Sequence, residues 1–350
     1  MEKIKLGVVF GGMSTENEVS IVSASYVLSN LDINKYDITA IYIDKEGKFW
    51  ECKDEYKPKK FGEAIINKQE IKNVYEYLGK LDVIFPVLHG LYGEDGTIQG
   101  MLEMLKKPYV GCHVLASSVG MDKVYTKVVF EKAGINQVKH EYIKKYKDGY
   151  IHVDNHFNET IVTDKEAAKI ASENLGFPVF VKPSNSGSSV GVRKAENVEE
   201  LIDAINYAAK YDKKVLIEEG IDGKEVECAV LGNEEVIASS VGEIKAADEF
   251  YSYDAKYNNT ESKTQIPADL PEEISEKIRN QAIKAFKAID GKGLSRVDFF
   301  VEKDTNKIYL NEINTLPGFT SISMYPKLFE NVGIGYRELL DKLIDLALEK

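Results

Sequence analysis

Two short stretches near the carboxyl end decide the fold: SRVDFF at 295–300 and NEIN at 311–314. Both have the apolar alternation of strands, and residues 304–306 between them favour a turn, so the sequence predicts a hairpin. Residues two apart on a strand share a face, so Arg296 projects with Asp298, and Glu312 projects with Asn314.

Pairing of these strands would bring two carboxylates, an amide and a guanidinium together. Two bare carboxylates about 4 Å apart repel by roughly 4 kcal/mol at an effective dielectric near 20, and a cation removes that cost. Oxygen ligands suit magnesium or manganese. The alternative is a solvated hairpin face with ordinary salt bridges, and the spacing alone does not decide between the two.

A second signal is the stretch FVKPSNSGSSVG at 180–191. A predicted strand places Lys182 at its end, and the small residues that follow allow backbone N–H groups to approach phosphate oxygens. The loop is not a Walker A sequence, and alone it is equally typical of a flexible surface connection. The stretch VLIEEGI at 215–221 fits a strand that lines an adenine pocket, or a core strand with an acidic end.

The amino-terminal part alternates strands with helices. Apolar runs at 4–10, 38–43 and 81–88, with a helix ending near residue 30, predict a parallel α/β unit over about residues 1–120. Functional loops of such sheets follow the strands, at 11–18 and 89–100. From residue 224 onward the pattern changes to strand pairs, a helix opening at Pro271, and a final helix over 336–348.

Composition limits the function classes. The chain has 350 residues, 43% hydrophobic and 29% charged, as expected of a globular protein with two or three domains. Its net charge of −12 argues against binding to nucleic acid or to an anionic membrane. Three widely spaced cysteines and the lack of a long apolar run favour a cytoplasmic protein without disulfides.

Taken in order, these elements resemble the ATP-grasp superfamily, and more narrowly the D-alanine–D-alanine ligase family. The stretches that carry the resemblance are GGMSTENEVS (11–20), HGLYGEDGTIQG (89–100), MDK (121–123), YDAKY (253–257) and NEINTLPGFTSIS (311–323). They run almost from end to end of the chain in the family's order.

The resemblance implies an amino-terminal parallel α/β pre-ATP-grasp domain followed by a two-lobed ATP-grasp fold, α+β in its carboxyl-terminal part. We expect the first D-alanine on the side of domain 1–120 and the phosphate loop in lobe 121–215. Lobe 216–350 should carry the metal site and a lid over 246–267. A homodimer is what the family suggests.

By similarity, Glu16 would hold the ammonium of the first D-alanine within a hydrogen-bonded set that includes Ser188 and Tyr257. Otherwise Glu16 would be interpreted as an acid favoured by a helix start. His89 would lie beside the first substrate's carboxylate. By similarity, Arg296 and the backbone N–H of Gly318 would stabilise the oxyanion. Ser323 and Met324 would hold the second amino acid.

The resemblance also implies ATP and two Mg²⁺ or Mn²⁺ ions, which would be held by Asp298, Glu312 and Asn314. Lys123 and Lys182 would contact the phosphates, with Lys256 on a mobile lid. Glu218 matches the adenine position and Glu225 the ribose position, although each lysine alone is more often a surface residue. The other nucleotide contacts implied are Ser189, Glu219, Ile221, Phe250, Phe300 and Asn311.

The implied reaction joins two D-alanine molecules through a D-alanyl phosphate, releasing ADP and phosphate, for peptidoglycan precursor synthesis. Family members that use D-serine or D-lactate differ near the lid and the second pocket. Tyr257 resembles the dipeptide-forming type, whereas Ile322 and Met324 depart from the commonest residues of the second pocket.

Two other classes compete. One is a zinc hydrolase with His152 and His156 at helical i,i+4 spacing beside Asp154, although turn-forming residues surround them. The other is a non-catalytic nucleotide-binding module, which would be expected to lack Arg296, a metal ligand or a lid lysine.

Overall fold

The computed structural model describes residues 2–53, 59–60, 62–63, 65–245 and 263–349. An amino-terminal sheet has the strand order β4-β3-β2-β1-β5. Its strands are β1 (Ile4–Gly11), β2 (Tyr36–Ile43), β3 (Phe49–Cys52), β4 (Lys68–Glu70) and β5 (Val83–Leu88). The helices around it are α1 (Asn17–Asn30), α2 (Val74–Gly79) and α3 (Thr97–Met104).

The parallel core of this sheet is confirmed, but the sheet as a whole is mixed. Strand β1 pairs in parallel with β2 and β5, whereas β3 pairs antiparallel with β2 and with β4. Only a short turn separates Ile43 from Phe49, and parallel strands need a crossover of a dozen or more residues, so β3 can only fold back as a hairpin.

The turn after β1 directs the chain into α1. Gly11 has a φ of 91°, and a Cβ there would lie 2.2 Å from the carbonyl oxygen of Ile43. Only glycine tolerates both the left-handed backbone and this approach. The turn therefore fixes the start of α1, where Glu16 lies.

A second sheet has the order β10-β9-β11-β6-β7-β8, and helices pack on it. Its strands are β6 (His140–Tyr146), β7 (Gly149–Val153), β8 (Glu159–Val162), β9 (Val179–Pro183), β10 (Arg193–Ala195) and β11 (Lys214–Glu219). The helices before and within this lobe are α4 (Val114–Met121), α5 (Lys123–Lys132), α6 (Asp164–Leu175) and α7 (Val198–Ala208).

The domain boundary expected after residue 215 falls inside a strand of this second sheet. Strand β11 is bonded on one side to β9 and on the other to β6, with Glu218 opposite both Phe180 and His140. Hydrogen bonding on both edges holds the whole strand in the central lobe. That sheet therefore extends to Glu219.

The third sheet has the order β14-β13-β12-β15-β16. Its strands are β12 (Gly223–Gly232), β13 (Val236–Lys245), β14 (Lys263–Gln265), β15 (Gly293–Glu302) and β16 (Ile308–Asn314). The remaining helices are α8 (Glu272–Ala288), α9 (Met324–Asn331) and α10 (Tyr336–Leu348). The predicted hairpin is confirmed, since β15 and β16 pair antiparallel.

The first and third sheets share one hydrophobic core. The Phe85 ring meets the Phe319 ring edge-on with centroids 5.9 Å apart, and Tyr325 packs on Phe319 at 5.6 Å. This contact holds the loop after β16 against the carboxyl end of β5, beside His89. Among the described helices, none is both long and apolar enough to span a bilayer.

Candidate active site

Two adjoining cavities lie where the three sheets meet. One has a volume of about 480 Å³ and the other about 370 Å³. Both are lined by Lys123, Gly187, Ser188 and Glu312, so they form one continuous cleft. We call the larger the substrate cavity and the smaller the nucleotide cavity.

Glu16 lies in the substrate cavity and is held from across the cleft. The Ser188 hydroxyl donates a hydrogen bond to Glu16 Oε1. Ser188 has a φ of 49°, a left-handed backbone uncommon for a residue other than glycine. A Cβ at Gly187 would lie 2.9 Å from Glu16 Oε2, so the loop fits Glu16 closely only because that position is glycine. The loop of the central lobe thus contacts the amino-terminal domain at the carboxylate expected to bind an ammonium.

His89 is buried beside Glu16, and each of its ring nitrogens contacts an oxygen atom of the protein. Its Nε2 lies 3.0 Å from the Ser23 hydroxyl, and its Nδ1 lies 3.2 Å from the carbonyl oxygen of Leu316. Glu94 Oε1 is 3.6 Å from Nδ1. Burial raises the pKa of Glu94. The hydrogen bond with His89 acts to lower this pKa, and the charge of Glu16 acts to raise it further.

Arg296 lines the substrate cavity and contacts two carboxylates. Its Nε and Nη2 each donate to Asp298 at 2.7 Å, and its Nε lies 3.1 Å from Glu227 Oε2. Burial alone would lower the pKa of Arg296, but the charges of Asp298 and Glu227 outweigh it and raise the pKa well above its ordinary value. Arg296 is therefore a permanent cation.

The three expected metal ligands lie together on β15 and β16. Asp298 and Glu312 are opposite residues of the antiparallel pair, and Asn314 Nδ2 donates to Asp298 Oδ2 at 3.1 Å. Each carboxylate oxygen has a second lone pair for a cation even while it accepts from a guanidinium. Carboxylate and amide oxygens in a locally negative site fit Mg²⁺ or Mn²⁺.

The expected second-substrate positions follow β16. A Cβ at Gly318 would lie 2.7 Å from Ser323 Oγ, so these residues are close neighbours. The Ser323 hydroxyl accepts from Thr320 N at 2.9 Å. Gly318, Ser323 and Met324 line the substrate cavity with Arg296. This set and Arg296 therefore face the same cavity.

Lysines meet acidic residues at the nucleotide end. Lys123 Nζ donates to the carbonyl oxygen of Ser186 at 2.7 Å and lies 3.3 Å from Glu312. Lys182 Nζ is 2.6 Å from Glu218 Oε2 and 3.3 Å from Asn311 Oδ1. Burial alone would lower the pKa of Lys182, but Glu218 outweighs it and raises the pKa.

The start of α5 is tied to the phosphate loop. Asp122 caps the helix by accepting from Val124 N at 3.2 Å and Tyr125 N at 3.3 Å. The same Oδ1 accepts from the Ser184 hydroxyl at 2.6 Å. The start of the helix that carries Lys123 is therefore hydrogen-bonded to the loop expected to hold phosphate.

The other expected nucleotide contacts also line this cavity, except those outside the described residues. Those within it are Ser189, Glu219, Ile221, Glu225, Phe300 and Asn311. Phe250, Lys256 and Tyr257, with most of the expected lid over 246–267, lie outside the described residues.

The zinc-site alternative is wrong in its geometry. His152 lies on strand β7 rather than a helix, and its Nε2 contacts Glu141 Oε2 at 2.7 Å. His156 lies in the turn that Asp154 caps by accepting from His156 N at 2.8 Å. In the described part of the chain, His, Cys, Asp and Glu side chains form no group of three arranged to hold a metal.

Sequence reasoning missed three charged residues in or next to the cleft, of which Glu227 and Lys127 are buried. Glu227 lies opposite Asp298 on the neighbouring strand, which only the strand register reveals. Glu94 lies within the HGLYGEDGTIQG stretch that carries the family resemblance. Lys127 contacts Glu218 and lies one helical turn after Lys123, so the i,i+4 spacing was the available signal.

A cleft where three sheets meet, lined by lysines, paired carboxylates and an arginine, defines an enzyme of the ATP-grasp class. Two family models match the chain: D-ala D-ala ligase N-terminus over residues 5–112 and D-ala D-ala ligase C-terminus over residues 129–345. The chain belongs to the D-alanine–D-alanine ligase family.

Relatives and solved structures agree with this assignment. The chain is 50% identical to a D-alanine–D-alanine ligase of Acetivibrio thermocellus, covering 100% of this chain and 97% of the relative. A Clostridium acetobutylicum D-alanine–D-alanine ligase is 48% identical over 99% of both chains. Among solved structures, the VanG D-Ala:D-Ser ligase from Enterococcus faecalis superposes with a TM-score of 0.84 at 37% identity, covering 99% of this chain and 100% of that one. The D-alanine–D-alanine ligase from Coxiella burnetii gives 0.80 at 34%, covering 100% and 95%.

Proposed function

We propose that this protein joins two D-alanine molecules at the expense of ATP, through a D-alanyl phosphate, for peptidoglycan precursor synthesis. The observation that carries the proposal is the position of Arg296. It lines the substrate cavity together with Glu16, and that cavity adjoins the nucleotide cavity lined by Lys123 and Lys182.

The first D-alanine is proposed to bind at the Glu16 end. Its ammonium pairs with the Glu16 carboxylate, which Ser188 orients, and its carboxylate lies on the His89 side. The carboxylate then points along the cleft toward the nucleotide. A charge-assisted pair in a site sheltered from water fixes the orientation of the amino acid.

Phosphoryl transfer is proposed to occur where the two cavities join. Lys123 and Lys182 would spread the charge of the transferred phosphoryl group, which is the main requirement of such a step. Asp298, Glu312 and Asn314 would hold magnesium, which supplies charge neutralisation between phosphate oxygens when bound. The D-alanine carboxylate oxygen bonds to the γ-phosphorus as the bond to ADP breaks.

The peptide bond is proposed to form over Arg296. The amine of the second D-alanine, held beside Ser323 and Met324, attacks the acyl carbon, and phosphate leaves. The Arg296 guanidinium and the backbone N–H of Gly318 stabilise the developing oxyanion. Holding three reactants together supplies roughly 7–11 kcal/mol of the barrier.

The alternative, D-alanine–D-serine ligation, is not favoured, because the VanG D-Ala:D-Ser ligase is only 37% identical to this chain. The D-alanine–D-alanine ligases named above are more similar, at 50% and 48%. The dipeptide D-alanyl-D-alanine is therefore the proposed product.

A phosphate-release assay with ATP and magnesium tests the proposal. We expect strong release with D-alanine, little with L-alanine, and no increase when D-serine or D-lactate is added beside D-alanine. Chromatography of the product should give D-alanyl-D-alanine. Turnover that does not depend on D-alanine would refute the proposal, and a mixed product with D-serine would favour the alternative.

We further propose that the protein acts in the cytoplasm, where ATP is available, and that it is a homodimer as the family suggests. Light scattering of the purified protein tests the second point. A mass near the 39.3 kDa of one chain would contradict it.

A further inference from the structure

Lys127 occupies a position that the reaction described above does not use. It lies on α5, four residues after Lys123, so both side chains leave the same face of the helix. Its side chain is only 3% exposed. Burying an ammonium this deeply is costly unless a partner of opposite charge compensates.

The partner of Lys127 is Glu218, the residue expected to contact adenine. Lys127 Nζ lies 2.6 Å from Glu218 Oε1, and Lys182 Nζ lies 2.6 Å from Glu218 Oε2. Glu218 is therefore gripped at both oxygens. Burial alone would raise the pKa of Glu218, but the two lysines outweigh it and hold the pKa well below the ordinary value.

The two lysines are not equivalent. Lys182 lines the nucleotide cavity and also reaches Asn311, so it is within reach of a bound phosphate. Lys127 is not among the described residues that line that cavity, and it contacts the other carboxylate oxygen of Glu218. If Lys182 engages a phosphate, Lys127 remains as a second cation in contact with Glu218.

A carboxylate fixed in this way distinguishes purines by the group at their position 6. The 6-amino group of adenine donates a hydrogen bond, whereas the 6-oxo group of hypoxanthine accepts one and would be repelled by a carboxylate. His140, opposite Glu218 in the sheet, does not supply a competing cation, because burial and the Lys127 charge lower its pKa.

We propose that Lys127 is a positioning residue for base recognition, which holds Glu218 so that the site prefers adenine over 6-oxopurines. The proposal rests on the proposed function only for the identity of the nucleotide. A purely structural Lys127 would affect stability without changing the choice of base.

The test compares Lys127→Met with Lys132→Met, a matched change at an exposed lysine of the same helix. Steady-state kinetics are measured with ATP and with ITP at saturating D-alanine, and KM for D-alanine is measured separately at saturating ATP. We expect Lys127→Met to raise KM for ATP about tenfold, because the variant loses the ion pair that orients Glu218. The ATP-to-ITP ratio of kcat/KM should fall by a similar factor, with KM for D-alanine unchanged. Lys127→Arg should restore much of the ratio, and Lys132→Met should match the parent protein.

A double-mutant cycle with Glu218→Gln decides whether Lys127 acts through Glu218. In the Glu218→Gln background, adding Lys127→Met should change the ATP-to-ITP ratio by less than about twofold, because coupled residues are not additive. A full additive loss, or an unchanged ratio in the single variant, would overturn the proposal.

Calorimetric binding of ATP and ITP separates this proposal from the proposed function. Loss of ATP preference in the Lys127 variant would support the inference even if the parent protein fails to make the dipeptide. If Lys127→Met does not fold, as judged by its thermal transition, Lys127→Gln takes its place, since it removes the charge and keeps a donor. Unchanged ATP preference in that variant would equally overturn the inference.

Discussion

Replacing Arg296 with methionine should destabilise the protein as well as stop catalysis. The guanidinium makes two 2.7 Å hydrogen bonds to Asp298 and lies 3.1 Å from Glu227, and both carboxylates are buried. Methionine keeps much of the side-chain volume and removes the charge. Asp298 and Glu227 then face one another without the arginine.

Removing one partner of a buried ion pair costs about 3–5 kcal/mol. At roughly 2–4 °C per kcal/mol, the thermal midpoint should fall on the order of 10 °C. Arg279→Met is the matched control, because Arg279 Nη2 contacts Glu272 Oε1 at the same 2.7 Å but Glu272 is 79% exposed. An exposed ion pair contributes about 0–1 kcal/mol, so the thermal midpoint of the control variant should change little.

Magnesium should partly rescue the Arg296 variant. A cation bound to the native state at about 100 times its Kd adds about 2.7 kcal/mol. Because the variant has one fewer positive charge beside Asp298, its gain from magnesium should exceed that of the parent protein.

The assay is thermal unfolding followed by circular dichroism, with and without magnesium, for the parent protein and both arginine variants. The reasoning is refuted if Arg296→Met and Arg279→Met have the same midpoint. Calorimetry should still detect ATP binding to the folded Arg296 variant while dipeptide synthesis is lost. Near-normal turnover would contradict the oxyanion role.

Three further changes test other parts of the site. Glu312→Gln should raise the magnesium concentration needed for half-maximal activity, measured by phosphate release, and an unchanged requirement would argue against its role as a ligand. Gly187→Ala should raise KM for D-alanine, because the added Cβ would lie 2.9 Å from Glu16 Oε2. Gly79→Ala is the control. A Cβ at Gly79 meets open space, so this variant should have the same KM as the parent protein. Ser188→Ala removes the hydrogen bond to Glu16, a loss of roughly 1.5–3 kcal/mol, and should raise KM for D-alanine about tenfold or more. KM for ATP should be unchanged. Equal changes in both constants would contradict the assignment.

The strands that carry the chemistry could be predicted from sequence because their pattern is local. Alternation and a turn were enough to predict the β15–β16 hairpin, and the structure pairs Asp298 with Glu312 as expected. The antiparallel strands β3 and β4 were missed, since they are only four and three residues long and give little periodicity.

The parts of the site that depend on strand register could not be predicted. Glu227 meets Arg296 because β12 and β15 align it opposite Asp298, and no short-range pattern fixes that alignment. Lys127 meets Glu218 across separate elements. The spacing from Lys123 indicated a shared helix face, but not which residue that face would meet.

The central claim is that the first D-alanine is activated as an acyl phosphate, and isotope transfer tests it most directly. D-alanine labelled with ¹⁸O in its carboxyl group is incubated with the protein, ATP and magnesium, and the released phosphate is analysed by mass spectrometry. The account predicts one ¹⁸O atom in each phosphate formed with a dipeptide. Phosphate that carries no label while dipeptide accumulates would contradict it.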